Sequence, residues 1–285
     1  MSGTLPDAGR VASIRQRLLD RARTREEDFQ LVLDRFAIER LLYRLSISQY
    51  RDQFLLKGAM LFALWFDQPH RPTRDADFLG FGDPDPERLA GIVRELCAIP
   101  FDDGLQFDVT SIAVDTIREE ASYGGLRLRL QALLGGARCH VQWDVGFGDA
   151  VTPAPQEADY PVLLGEFPAV RLRVYPRETV FAEKLEAIAS LGIANSRMKD
   201  YFDLLALVRE GTMEGETLAA AIRATFARRD TALPDDVPFG LSDEFSTDAQ
   251  KLEQWQAFLR RNRLTAPDLR VVVAEVRTCL RALNL

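Results

Sequence analysis

The sequence predicts an α+β fold: N-terminal helices, a mixed or antiparallel sheet, and a C-terminal helical half. Three observations predict it. Apolar residues recur at helical spacing from Ile14 to Leu45. Between residues 106 and 147 the apolar period falls to two, with glycine pairs between the runs. From Arg177 onward the helical spacing returns.

Taken in order, residues 9–48 read as two helices, the first marked by Ile14, Leu18 and Leu19, the second by Phe29 through Leu45. Phe54 to Leu56 is a short apolar strand. Lys57-Gly58-Ala59 is a turn that opens a helix with Leu61, Leu64 and Trp65 on its apolar stripe. Asp75 to Leu79 reads as a strand. Pro84 to Cys97 is a helix with Pro86 in its first turn. In the β-rich block, Phe107, Val109, Ile112 and Val114 belong to one irregular strand. Leu126, Leu128 and Leu130 alternate with Arg127 and Arg129, and Val141, Trp143 and Val145 with Gln142 and Asp144. Gly124-Gly125 and Gly135-Gly136 supply turns, so an antiparallel meander is expected. Residues 149–168, with four prolines, read as a loop. Val170, Leu172 and Val174 alternate with Arg171 and Arg173 in a further strand. Helices follow over 177–191, 197–209, 214–228, 247–262 and 266–283, with 230–246 a Pro/Asp-rich connection. The expected division is a catalytic domain over 1–175 and a helical domain over 176–285.

The 285 residues suffice for one large core or two smaller ones. A net charge of −7 argues against a generic nucleic-acid-coating protein, although a basic patch can sit on an acidic body. Cys97, Cys139 and Cys279 are odd in number and widely spaced, which excludes a disulfide framework and a Cys-x-x-Cys metal pair. With only His70 and His140 besides, a zinc site is not expected. No signal peptide and no apolar stretch long enough to span a membrane is read, so the expected location is cytoplasmic.

The chemistry centres on Asp75 and Asp77. Strand alternation puts both on one face, where they repel each other. A bridging hard cation such as magnesium removes that repulsion. A third carboxylate is expected from a neighbouring strand, and Asp144 is the best placed. The bland alternatives are a solvated strand end for the pair and a solvated sheet face for Asp144. Lys184 lies three residues after Phe181 and four before Ile188, so it intrudes on an apolar helix face. It is either a phosphate ligand or a lysine whose stem runs along the protein with its ammonium in water. Asp200 and Asp203 open a helix that is apolar almost all round. They either complement its dipole or serve the site, Asp203 bonding Lys184 with Asp200 as its alternate. Arg127 with Arg129, and Arg171 with Arg173, share strand faces. If those strands are neighbours, they form a basic surface suited to RNA phosphates; otherwise they are ordinary solvated faces.

A glycine turn at a helix start, followed by a strand with Asp-x-Asp, is the arrangement of the polymerase-β-like nucleotidyltransferases. The fuller string Lys57-Gly58-Ala59 … Arg71-Pro72-Thr73-Arg74-Asp75-Ala76-Asp77 resembles the AbiEii/AbiGii (MenT-type) nucleotidyltransferase toxins of bacterial type IV toxin–antitoxin systems. The resemblance continues through Glu183-Lys184 and the run from Arg197 to Leu204, and covers residues 30 to 210. It departs at Ala59, where the superfamily usually has serine or glycine. A triphosphate there would lose a hydroxyl but keep backbone N–H groups. The resemblance implies a metal-dependent enzyme with Mg2+ or Mn2+ on Asp75, Asp77 and Asp144. It implies a nucleoside triphosphate (NTP) substrate, for which Lys57, Gly58, Ala59, Thr73 and Arg197 are the candidate contacts. Lys184, Asp203 and Asp200 complete the catalytic set. The implied acceptor is RNA, with tRNA 3′ ends foremost, so that translation is blocked, and the implied partner is a cognate antitoxin. Two rivals stand beside this: a small-molecule, antibiotic-modifying nucleotidyltransferase, and a catalytically silent nucleotide-binding protein.

Overall fold

The computed structural model describes residues 7–66, 70–118, 124–234 and 236–283. The chain divides into two compact units, Met1–Gly148 with Glu157–Val174, and Asp149–Gln156 with Tyr175–Leu285. The segment Asp149–Gln156, which the sequence places in the first domain, thus belongs to the second unit.

In the first unit, α1 (Ala8–Thr24) and α2 (Phe29–Ser46) begin at aspartate caps, Asp7 and Asp28, whose carboxylates accept from backbone N–H groups of the first turn. Strand β1 (Phe54–Lys57) leads into a 3-10 turn over Gly58–Leu61 and a single α-turn, α3 (Phe62–Trp65). The expected helix is therefore short. Gly58, at φ +72°, swings the chain sharply off the strand, and Phe66 returns to extended backbone. Then come β2 (Ala76–Gly80), α4 (Pro86–Ala98), β3 (Leu105–Arg118), β4 (Gly124–Leu134), β5 (Ala137–Phe147), β6 (Gln156–Tyr160) and β7 (Val170–Val174).

These strands form one seven-stranded sheet in the order β3-β4-β5-β2-β1-β7-β6. The antiparallel meander of β3, β4 and β5 matches the alternation, and the register of β3 slips between Asp108 and Ala113, where its pattern is irregular. Gly135 and Gly136 both take positive φ and close the two-residue hairpin between Leu134 and Ala137. Gly124 and Gly125, expected as a turn, are instead paired in β4 with Arg118 and Ile117. Strand β6 falls where a loop is expected. Its Gln-Glu-Ala-Asp-Tyr sequence buries only Tyr160, so this edge strand leaves no apolar alternation to read.

The core lies on the sheet face opposite Asp77. Phe54, Phe78 and Trp143 pack there with ring centroids 4.7 to 6.0 Å apart. Helix α2 packs against β5 and β7, and α4 against β3. Each such aromatic or leucine side chain contributes about 1.5–3 kcal/mol on burial, which fixes which way every alternate residue faces.

The second unit holds α5 (Arg177–Leu191), α6 (Met198–Glu210), α7 (Gly215–Arg228), α8 (Asp243–Thr247), α9 (Ala249–Asn262) and α10 (Leu269–Arg281). Helix α8 begins inside the expected connection, capped by Ser242 and anchored by buried Phe245. Helix α6 is central: Tyr201, Leu204 and Leu207 are fully buried, and α5, α9 and α10 pack on it. Among the described residues no helix is long and apolar enough to cross a membrane.

Candidate active site

Strand register builds the site of the first unit. β1 places Lys57 opposite Asp77, β2 places Asp77 beside Asp144, and β4 places Arg127 opposite Asp144. Residues opposite one another share a sheet face, so Lys57, Asp77, Asp144 and Arg127 form one row across four strands. Asp75 stands two residues before Asp77. One carboxylate oxygen from each of Asp75, Asp77 and Asp144 lies within 4.8 Å of the others, and all three residues are half-buried. The Thr73 hydroxyl donates to Asp75 Oδ1 at 2.8 Å. Arg127 donates twice to Asp144, from Nε to Oδ1 at 2.9 Å and from Nη2 to Oδ2 at 2.6 Å, and Gln142 donates to Oδ1 at 3.1 Å. The bond to Asp144 raises the Arg127 pKa above its ordinary value, more than burial lowers it. Thr73, Arg127 and Gln142 therefore set the orientation of two of the three carboxylates.

The donor set fits a hard divalent cation. All three groups are carboxylates, they converge, and an acidic cluster of this kind is strained by its own repulsion. Each oxygen has a second lone pair, so Asp144 can serve a cation while Arg127 holds it.

Gly58 is fitted against this cluster. A Cβ at its position would lie 1.9 Å from Asp77 Oδ2 and 2.7 Å from its Cγ. Gly58→Ala should therefore cost about 1–2 kcal/mol for a left-handed backbone alone and more for displacing Asp77, with transfer lost. Denaturant unfolding in the wild-type and Asp77→Ala backgrounds checks this. The penalty should shrink where the carboxylate is absent, and equal penalties in both would show that Gly58 does not position Asp77.

The second unit holds the other predicted group. Lys184 Nζ on α5 meets Asp200 Oδ1 at 2.9 Å and Asp203 Oδ2 at 2.7 Å on α6, and both carboxylates are fully buried. Arg197 Nε reaches the other Asp200 oxygen at 2.8 Å. Burial pushes the Asp200 carboxyl up, but Lys184 and then Arg197 outweigh it and hold it below the ordinary aspartate range. The Lys184 ammonium is thus fixed between two acids, not left in water.

A family model described as "Nucleotidyl transferase AbiEii toxin, Type IV TA system" matches residues 40–282. The chain belongs to the AbiEii family. The match runs through the C-terminal helices, beyond residue 210 where the sequence resemblance stops, and it makes the protein a nucleotidyltransferase of the type IV toxin class. Among solved structures, JHP933 from Helicobacter pylori is similar at 17% identity and a TM-score of 0.49, over 89% of this chain and 91% of that one. An antigenic nucleotidyltransferase-like protein from Paracoccidioides brasiliensis is similar at 11% identity and a TM-score of 0.39, over 84% and 93%. No curated protein matches.

The AbiEii chain does not join its four strand arginines as the sequence reading supposes. Between β4, with Arg127 and Arg129, and β7, with Arg171 and Arg173, lie β5, β2 and β1. The basic surface expected from neighbouring strands is therefore not formed. Each arginine also has a local partner: Arg127 with Asp144, Arg129 with Asp115, Arg171 with Glu157, and Arg173 with the Asp52 carbonyl. Strand order cannot be read from alternation, which is why the separation was not legible.

Sequence reasoning also misses Arg229. It caps α7 and meets Glu186 at 2.8 Å, Asp149 at 3.3 Å and Glu183 at 3.4 Å. Those acids raise its pKa further although burial opposes them. The network ties Asp149 and the neighbour of Lys184 on α5 to one guanidinium. No local motif marks Arg229.

Proposed function

We propose that this AbiEii-family protein transfers a nucleotide from an NTP to the 3′ hydroxyl of RNA, tRNA foremost, in an Mg2+- or Mn2+-dependent reaction that blocks translation. The observation that carries this is the convergence of Asp75, Asp77 and Asp144 on the sheet face against which Gly58 is packed. A divalent cation bound there supplies Lewis-acid neutralisation of the triphosphate. Asp75 and Asp77 would hold it, and Thr73 keeps Asp75 aimed. Asp144, with both oxygens engaged by Arg127, is assigned to cation holding rather than proton transfer. Backbone N–H groups of Gly58 and Ala59 receive phosphate oxygens. Lys184 and Arg197 are assigned to neutralising phosphate charge, with Asp200 and Asp203 fixing the lysine. The acceptor hydroxyl loses its proton to water as its oxygen forms a bond to the α-phosphorus, the bond from that phosphorus to the α,β-bridging oxygen breaks, and pyrophosphate leaves. Family membership implies an antitoxin partner and NTP as substrate.

The experiment incubates the full chain with each of the four radiolabelled NTPs, a divalent cation, and either total tRNA or a panel of aminoglycosides. Metal-dependent label in RNA is the expected result. Label only in the small molecules would transfer the proposal to the antibiotic-modifying class. No label in any mixture would leave the silent nucleotide-binding protein.

A further inference from the structure

We infer that the first unit carries a metal-independent anion site beside the carboxylate cluster, which takes one phosphorylated nucleotide unit of the acceptor strand; the acceptor role rests on the transfer reaction proposed above. The site is a cavity of about 300 Å³ with Arg21, Arg25, Arg35 and Arg71 in its wall. One carboxylate, Glu39, faces these four guanidinium groups there. It is already engaged, accepting from the Leu163 N–H at 2.6 Å and meeting Arg40 at 2.8 Å. Arg35 leans on Glu27 at 3.4 Å. Arg21 reaches the Leu163 carbonyl at 3.4 Å, while its buried Nε has no hydrogen-bond partner among the described residues. A phosphate oxygen is the acceptor that guanidinium groups lining a cavity fit, in forked geometry.

The other wall suits a base. The rings of Phe62, Phe66 and His70 lie nearly parallel, with Phe62 and His70 at 4.1 Å and 11° and Phe66 and His70 at 5.7 Å and 18°. Phe62 is fully buried with His70 stacked on it, so the rings that a nucleobase can stack on, without its sequence being read, are His70 and Phe66. The volume stands at the small end of ligand pockets, about 300–1,000 Å³. That is room for one nucleotide, not for a strand or for an NTP with its phosphates extended. Position argues for the acceptor. Thr73 lines the cavity and bonds Asp75, while Ala59 lines it and follows Gly58, which lies against Asp77. A nucleotide held there has its ribose beside the carboxylates. Arg21, Arg25 and Arg35 precede residue 40, so three of the four arginines of this wall lie outside the span matched by the family model.

The test is isothermal titration of the full chain with adenosine 5′-monophosphate in EDTA, followed by steady-state transfer with NTP and a short RNA varied separately. Wild type should bind the monophosphate without metal, and more weakly as salt rises. Arg21→Ala with Arg25→Ala should weaken that binding about tenfold or more and raise KM for RNA but not for NTP. Asp77→Asn should bind the monophosphate as wild type does. Ala63→Leu, which fills the cavity without touching a charge, should weaken binding as well, and it keeps the test open where the double arginine variant does not fold. No metal-free binding by wild type, or wild-type binding by folded variants of both kinds, overturns the site. A rise in KM for NTP alone overturns it too, since the cavity would then belong to the triphosphate. Arginine-dependent binding by a chain that labels no RNA would instead remove the transfer reaction and leave the anion site standing.

Discussion

Asp77→Asn should reduce nucleotidyl transfer by about a thousandfold or more while the fold keeps or gains stability. Asp77 is the middle of the row, beside Asp144 on one strand and opposite Lys57 on another. Removing its charge takes one oxygen donor from the cation site and relieves repulsion with Asp75 and Asp144, whose oxygens lie within 4.8 Å of it and of one another. The amide keeps the volume against Gly58, so the turn has no reason to move. Transfer rate and thermal unfolding measured on the same preparation check both halves. A variant that retains activity, or one that unfolds, would return Asp77 to a structural role.

Lys184→Met should act on stability as strongly as on turnover. Asp200 and Asp203 are buried around the ammonium, and removing it takes the Lys184 charge from both, while Arg197 still meets Asp200. Breaking one side of a buried ion pair costs about 3–5 kcal/mol. The pH dependence separates this from a generic packing loss. In the wild type the Asp200 carboxyl sits below its ordinary value, so its contribution is present above the unfolded pKa and is lost as pH falls through the folded one. In Lys184→Met, Asp200 loses the ammonium that holds its carboxyl down and takes up a proton more readily, so the penalty should shrink as pH falls from neutrality towards 4. Asp203→Asn in the same chain should recover part of the loss. Urea unfolding across that range is the measurement. A penalty independent of pH would mean that Lys184 contributes its stem and not its charge.

Much of this site was legible because strand alternation is rigid. Asp75 and Asp77 alternate with buried Ala76 and Phe78, and Asp144 lies between buried Trp143 and Val145, so their side is forced once the apolar residues choose the core. The intrusion of Lys184 on an apolar helix face was legible from the 3–4 spacing of Phe181 and Ile188 around it. What stayed hidden depends on long-range order. The pairing of β2 with β5 brings Asp144 beside Asp77, and nothing in either strand announces it. The separation of β4 from β7 is likewise a property of the sheet and not of the segments. Strand β6 escaped because an edge strand of polar residues carries no periodic signal, and the arginine cavity because its wall is drawn from α1, α2 and the chain ahead of β2.

The order of the sheet also sets when the chemistry can begin. β2 has a near neighbour in sequence, β1, on one side, but on the other it pairs with β5, which is made only after α4, β3 and β4. A chain still emerging from the ribosome can hold Asp75 and Asp77 beside Lys57 without Asp144 or its arginine. Contacts across such a sequence separation form late, because the loop between them must close first. In the proposed reaction the carboxylate cluster therefore stays incomplete during synthesis until β5 docks beside β2.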